Sequence, residues 1–233
     1  VISIVVPTYR EADNLPLLAQ AIDSALEDFE GGYELLFVDD DSQDGSEEIS
    51  ADLSRRFPLR ILVRRGERGL ATAVIEGIRA CTGDVVVVMD GDLSHPPGAI
   101  PIMVERLRSG ASDFVLGSRY VEGGSVDEAW SGFRKLNSVI ASLLARPLCH
   151  LADPMSGFFA LRRADMPDLG RLAPIGYKIA LEILVKGDFR QATEVPIHFA
   201  ERQHGTSKLS LKEQLNFLRH LHRLYAYRLG SHH

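Results

Sequence analysis

Cysteine is scarce in this 233-residue chain: Cys81 and Cys149 are the only two, and neither stands in a CxxC or Cys/His spacing. That excludes a disulfide framework and a zinc site, and two buried structural thiols are the expectation. Long apolar runs are missing as well. No stretch approaches the roughly 18 residues that cross a bilayer, and no charged-then-apolar leader precedes Val1, so a soluble or peripheral chain is expected. Positive charge is in deficit, with 26 Lys and Arg against 32 Asp and Glu and a formal net charge of -6. Without a global basic field, nucleic acid is not an expected partner. There is no linker rich in Pro, Gly or Ser, no internal repeat and no low-complexity tract. What remains is 45% hydrophobic and 25% charged, the balance of one folded domain with a sizeable core. The chain opens directly in a strand-like run and closes with Ser231-His232-His233, which suggests a trimmed piece with a tag remnant at 230–233.

Short β-branched runs at 1–6, 34–38, 60–64, 85–89 and 113–117 read as strands, separated by helix-like segments at 13–29, 46–56, 69–80 and 98–108. Such alternation predicts an α/β fold, a Rossmann-like, mostly parallel sheet with helical crossovers. Val85-Val86-Val87-Val88-Met89 is apolar on both faces, as a strand covered by helices on both sides must be. Ligands of such sheets bind at the carboxyl ends of the strands. Beyond residue 120 the rhythm changes to a Gly-rich loop at 122–132, a helix at 133–146 stopped by Arg146 and Pro147, a strand near 157–161, a helix at 176–187 and a strand at 192–200. Residues 201–208 are polar and turn-like. From 210 to 229 the apolar residues Leu211, Leu215, Leu218, Tyr225 and Leu229 recur at helical spacing and predict a C-terminal amphipathic helix.

The second strand runs into Asp39-Asp40-Asp41-Ser42 and the fourth into Asp90-Gly91-Asp92-Leu93-Ser94. Carboxylates converging on one sheet edge repel unless a cation or hydrogen-bond donors neutralise them. Mg2+ or Mn2+ suits an all-oxygen set and commonly completes its shell with ligand phosphates, which points to a nucleotide diphosphate. A lone aspartate after a strand is more often a turn former or cap, as Asp44 and Ser46 are expected to be. An Asp-x-Asp with a second acidic cluster beside it goes beyond that. The first strand ends in Pro7-Thr8-Tyr9-Arg10-Glu11 without a GxGxxG, against a dinucleotide-binding oxidoreductase, and Gly66 and Gly69 read as a plain turn.

Together, Val5-Val6-Pro7-Thr8-Tyr9-Arg10-Glu11, Val38-Asp39-Asp40-Asp41-Ser42, Asp90-Gly91-Asp92-Leu93-Ser94-His95-Pro96-Pro97, Gly117-Ser118-Arg119-Tyr120, Asp153-Pro154-Met155-Ser156-Gly157, Gly176-Tyr177-Lys178, Glu194-Val195-Pro196 and Arg202 to Leu209 resemble the family-2 inverting glycosyltransferases with the GT-A fold. The likeness is nearest to the polyprenol-phosphate (dolichol-phosphate) mannose synthases and covers residues 1–210. It implies mannose transfer from GDP-mannose to a polyprenyl or dolichyl phosphate, at the cytoplasmic face of a membrane. The alternatives are transfer of glucose or another sugar from a UDP-sugar to the same acceptor, and a nucleotide-binding module without catalysis.

Carried over, the resemblance implies that Pro7, Tyr9, Glu11, Val38 and Asp40 hold the nucleoside, and that Asp90, Gly91 and Asp92 hold the diphosphate and metal. Ser94, where some relatives have Gln, is a further metal contact, and Arg10 stands in place of the more usual Asn. Arg202 and Lys208 are the donor-phosphate clamp. Arg119, Arg134 and Ser138 meet the acceptor phosphate, with Arg134 and Ser138 one helical turn apart. His95 and His204 are expected to be hydrogen-bonding or solvated side chains. Asp153 is expected to orient an arginine or the sugar, or to serve as a cap, and no general base is assigned to it, Glu122 or Asp127. The catalytic domain is expected at 1–208, with 209–229 as a membrane-associating helix. A membrane surface, a membrane-anchoring partner or a removed transmembrane segment completes the expected surroundings.

Overall fold

The computed structural model describes residues 1–128, 130, 132–173, 175, 176, 178–201 and 211–230, with the side chains of 133, 134 and 211–213 outside the description. The elements run β1 (Ile2–Thr8), α1 (Leu15–Ala25), β2 (Tyr33–Asp39), α2 (Ser46–Leu53), β3 (Leu59–Val63), α3 (Leu70–Ala80), β4 (Val85–Val88), α4 (Ile100–Arg108), β5 (Phe114–Ser118), β6 (Ser125–Val126), α5 (Gly132–Cys149), β7 (Phe159–Arg162), α6 (Ile179–Lys186), β8 (Ala192–Pro196), β9 (His198–Phe199) and α7 (Leu211–Gly230). Seven strands form one sheet in the order β3-β2-β1-β4-β7-β5-β8, and β6 pairs with β9 in a second, two-stranded sheet. Among the described residues only β7 runs against its neighbours, β4 and β5; the other pairings are parallel.

Period-2 geometry sends alternate side chains to opposite faces. Ile4, Val6, Val85 and Val87 therefore face α1 and α4, whereas Val5, Val86 and Val88 face α3 and α6. Both faces are covered by helices, which is why the strands carry no polar alternation. On the second face α3 comes so close that a methyl group at Gly77 would lie 2.3 Å from Val5 Cγ1 and 2.9 Å from Val38 Cγ2. A third apolar cluster joins Ala145 and Leu148 of α5, Leu181 and Val185 of α6, and Leu221 and Leu224 of α7 to Met155.

Several boundaries differ from the sequence reading. α5 does not stop at Arg146 but runs through Pro147 to Cys149. Proline in a last turn removes one amide donor, and the His150 N–H still closes onto the Arg146 carbonyl at 2.8 Å. The run 192–200 is two strands in two sheets, and the Gly-rich loop contains β6. α2 begins after Gly45, with Asp44 accepting the Ser46 amide at 3.1 Å and its hydroxyl at 2.7 Å. Cys81 is a buried free thiol as expected, whereas Cys149 is only half-buried.

On α7 the apolar residues Leu215, Leu218 and Leu229 are turned away from the core and exposed, and the protein-facing side is His220, Leu221 and Leu224. Among the described residues no helix is long and apolar enough to cross a membrane.

The close approach at Gly77 makes a test of the packing. Gly77→Ala gains helix propensity of about 1 kcal/mol, but overpacking against the stiff, buried Val5 and Val38 costs about 1–3 kcal/mol. The urea midpoint should therefore fall relative to wild type and to the surface control Glu76→Ala. A midpoint raised by the substitution would contradict this contact.

Candidate active site

The chain leaves β1 and returns through β2 and β3 before crossing to β4 on the other side of β1, so the crevice of the sheet opens at the carboxyl ends of β1 and β4. The acidic half of this edge is ordered by Asp39. Its buried carboxylate accepts the Thr8 hydroxyl at 3.0 Å, the Ser42 amide at 2.8 Å and the Ser42 hydroxyl at 2.5 Å. The Ser42 oxygen accepts the Arg10 amide at 2.8 Å in turn, which draws residues 9–11 onto 39–42. Arg10 adopts φ 61°, a left-handed conformation in which Asn is more easily accommodated than Arg.

Asp40 lies 3.0 Å from Arg64 Nε and accepts the Gly69 amide at 2.7 Å. Burial pushes its carboxyl above the usual range and outweighs the opposing pull of Gly69 and Arg64. Arg64 also donates to Thr72 at 2.9 Å and to the Glu67 carbonyl at 3.2 Å. The segment 64–69 is therefore more than a plain turn. It forms a wall of the crevice, and its Arg68 lies 5.0 Å over the Tyr9 ring and donates to the Tyr9 hydroxyl at 3.2 Å. Arg10 lies 5.3 Å from the same ring. Pro7, Tyr9 and Glu11 are half-buried along this wall, and Glu11 accepts the Asn14 amide group at 2.6 Å. Val38, by contrast, has its side chain wholly in the core, so only its main chain can take part.

Asp90 and Asp92 share the turn after β4. Asp92 is 3% exposed and accepts the Ser94 amide at 3.1 Å and the Ser94 hydroxyl at 2.5 Å. Ser94 thus fixes the Asp92 carboxylate. Gly91 is closely approached: a methyl group there would lie 3.3 Å from Thr8 Cγ2 and 3.4 Å from Val6 Cγ1. His95 is buried against Phe158, ring centroids 5.2 Å apart, and its Nδ1 accepts the Asp90 amide at 3.0 Å. Burial depresses its pKa despite Asp90 and Asp92, so the ring is a neutral acceptor that holds the turn, as the hydrogen-bonding expectation had it.

The basic half comes from β5 and from the turn before β7. Because β7 is antiparallel, its first residues arrive at the edge where the parallel strands end. Asp153 is fully buried and accepts Arg119 Nε and Nη2, each at 2.7 Å, together with the Arg119 amide at 3.0 Å. Burial would lower the Arg119 pKa, but Asp153 more than offsets it and keeps the guanidinium charged. Of the roles expected for Asp153, orienting an arginine is the one observed. Glu194 holds the turn through the amides of Ala152 at 2.7 Å and Asp153 at 2.9 Å. Tyr120, beside Arg119, donates to the Ser138 hydroxyl at 2.8 Å and so brings the first half of α5 to this side. Arg134 lies one turn earlier on the helix, with its side chain outside the described residues. Arg202, His204 and Lys208 also lie outside the described residues.

Lys178 has no place among the site residues expected from sequence. It donates to the Met155 carbonyl at 2.6 Å. Burial and the neighbouring Arg119 push its pKa down to about 8, against Asp153 and Asp90. Arg64, Arg68 and Gly69 were missed similarly. The available signal was positional: Arg64 and Arg68 follow β3 at the carboxyl edge of the sheet in an otherwise acidic chain, and Lys178 follows a Gly-containing turn.

The glycosyl transferase family 2 profile matches residues 3–169. The chain is 44% identical over 227 residues to a dolichol-phosphate mannosyltransferase of Pyrococcus furiosus, covering 96% of this chain and 63% of that protein. It thus spans less than two thirds of that relative's length. Proteins of the same name from Saccharomyces cerevisiae and Mycosarcoma maydis are each 40% identical, with 98% of this chain covered and 88% and 80% of theirs. Among solved structures, glucosyl-3-phosphoglycerate synthase from Mycobacterium tuberculosis in complex with phosphoglyceric acid superposes with a TM-score of 0.66 at 22% identity, over 99% of this chain and 80% of that one. The complex of that enzyme with Mn2+, UDP and glucosyl-3-phosphoglycerate gives a TM-score of 0.64. At this identity the likeness bears on the fold, which is the expected GT-A arrangement. With a profile match over most of its length and relatives at 40–44% identity, the chain belongs to glycosyl transferase family 2.

Proposed function

We propose that this chain transfers mannose from GDP-mannose to the phosphate of a polyprenyl (dolichyl) phosphate, with inversion at the anomeric carbon and release of GDP. The observation that carries the reading is the Asp-Gly-Asp turn facing a buried guanidinium across one sheet edge, in a chain similar to proteins named dolichol-phosphate mannosyltransferase. Asp90 and Asp92 would hold Mg2+ or Mn2+. The donor set fits such an ion: two hard carboxylates on one turn, ordered by Ser94 and His95. Among the described residues no group of three or more His, Cys, Asp or Glu makes an all-protein cage. A shell of that kind leaves positions for phosphate oxygens, and an ion held there would supply neutralisation of the diphosphate charge.

Tyr9, flanked by two guanidiniums, together with Pro7, Glu11, Asp40 and the Val38 main chain, forms the nucleoside side. Arg202 and Lys208 are assigned to the donor phosphates by resemblance. Arg119, Arg134 and Ser138 take the acceptor phosphate. Such a monoester has a second pKa of about 6, so it attacks as a dianion without a general base. Asp153 accordingly serves to aim Arg119 and to keep it charged. Lys178 adds a second cation on this side.

A lipid acceptor must enter from a bilayer, and the exposed apolar side chains suit one. On α5, Leu136, Val139, Ile140, Leu143 and Leu144 are 41–58% exposed, and on the neighbouring α7 Leu215, Leu218 and Leu229 are 52–72% exposed. The two helices are tied together by Tyr225 to the Leu144 carbonyl and Arg228 to the Leu148 carbonyl, each at 2.7 Å. Arg219 and Arg223, one turn apart and exposed, border this apolar surface. An apolar face flanked by cations is the pattern of an interfacial helix on anionic lipid. We therefore assign 1–208 to the catalytic domain and α7 to both the domain's packing and the membrane surface.

Two outcomes test this. The pH profile of transfer should rise through about pH 6, as the acceptor loses its second proton, and fall through about pH 8, as Lys178 loses its charge. In Lys178→Arg the cation persists, and the alkaline limb should move up by at least about one unit; a limb left at pH 8 contradicts the assignment. The double variant Leu143→Asp, Leu218→Asp should lower flotation with anionic vesicles by about fivefold or more while leaving the thermal midpoint unchanged. Flotation equal to wild type would remove membrane contact from this surface.

A further inference from the structure

Glu182 stands outside the site described above, yet it ties its own helix to two further segments. It is 1% exposed on α6. Its Oε1 accepts the Ala173 amide at 2.8 Å and Lys186 Nζ at 2.5 Å, and its Oε2 lies 3.3 Å from Nε2 of the buried His220 on α7. Burial by itself would raise the carboxyl pKa, but His220, the Ala173 amide and Lys186 hold it at about 2, so the group is charged throughout the working range. Lys186 is fixed further by the Arg171 carbonyl at 2.8 Å and lies 5.7 Å from the Tyr227 ring of α7.

The geometry leads from this cluster to the catalytic edge. Glu182 lies one turn after Lys178, whose carbonyl accepts the Glu182 amide at 3.4 Å. Ala173 and Lys178 are thereby both attached to Glu182, the first by its side chain and the second by its main chain. The Met155 carbonyl that receives Lys178 Nζ belongs to a residue packed in the cluster with Leu181, Val185, Leu221 and Leu224. An apolar residue at 182 would fill this junction without the desolvation cost of a carboxylate. Hydrogen bonds from Ala173 and Lys186 and the charged contact with His220 fix the relative placement of these groups as non-directional packing does not.

We propose that Glu182 is a positioning residue, which fastens α7 through His220 and the main chain at Ala173 through its amide and so sets where Lys178 meets the reacting phosphates. The inference rests on the reading of Lys178 as part of the catalytic edge.

The test labels the folded full chain with a neutral amine-reactive reagent and compares Lys178 with Lys135 by peptide mass analysis, alongside kcat and donor KM. Glu182→Ala should raise Lys178 labelling about fivefold with Lys135 unchanged, and lower kcat about tenfold with donor KM within about twofold. Glu182→Gln, which keeps an acceptor for Ala173, should restore most of both. If Glu182→Ala does not fold, His220→Leu carries the test: it removes only the α7 contact and should raise Lys178 labelling about two- to threefold. Unchanged Lys178 labelling in the folded variants, or an equal rise at Lys135, overturns the proposal. Altered labelling with unchanged kcat leaves the positioning role standing and instead removes Lys178 from the catalytic edge.

Discussion

Asp153 has no exposed surface, and a carboxylate in that position is tolerated only because Arg119 meets it with two parallel bonds and its own backbone amide. Breaking such a pair by removing one partner leaves an uncompensated buried charge, at a typical cost of about 3–5 kcal/mol. The constraint runs both ways. Arg119 is packed among Tyr120, Trp130 and Phe199 at 5.2–5.7 Å, so Asp153 sets which guanidinium edge remains turned toward the crevice. The rings hold β5, the Gly-rich loop and β9 around that one cation.

The direction of β7 makes this arrangement available. A parallel strand would have delivered its end, and not its beginning, to the catalytic edge. Running antiparallel between β4 and β5, β7 brings the Asp153–Gly157 turn beside Asp90, where a side chain at Gly157 would stand 3.4 Å from an Asp90 oxygen. Asp90 and the Asp153–Gly157 turn, more than sixty positions apart in sequence, thus become neighbours. Carboxylates on one side and cations on the other suit a substrate that carries phosphate and a metal together.

Much of this was legible in the residues. Alternating apolar runs fixed the strands and their double burial, and the aspartates after β2 and β4 marked the edge. Strand direction was not legible, because the Phe158-Phe159 run has the same pattern whether parallel or antiparallel. The wall formed by Arg64 and Arg68 escaped notice because its role depends on Asp40 and Tyr9, which only the fold brings near. α7 shows the limit of hydropathy. Its apolar positions 215, 218 and 229 were legible and are exposed, whereas the protein-facing side, which includes the polar His220 beside Glu182, was not. The Pro147 stop failed because a proline in a last helical turn forfeits a single bond.

The central claim is that the carboxylate turn after β4 and the cations opposite it move mannose from a guanosine diphosphate to a lipid phosphate. Its most direct test is incubation of the chain with Mn2+, polyprenyl phosphate and a panel of GDP- and UDP-sugars, with product mass analysis and an Asp92→Asn control. The account predicts a polyprenyl-phosphate hexose from GDP-mannose alone, abolished in the folded control. A lipid product formed only from a UDP-sugar, or formed equally by Asp92→Asn, would contradict it.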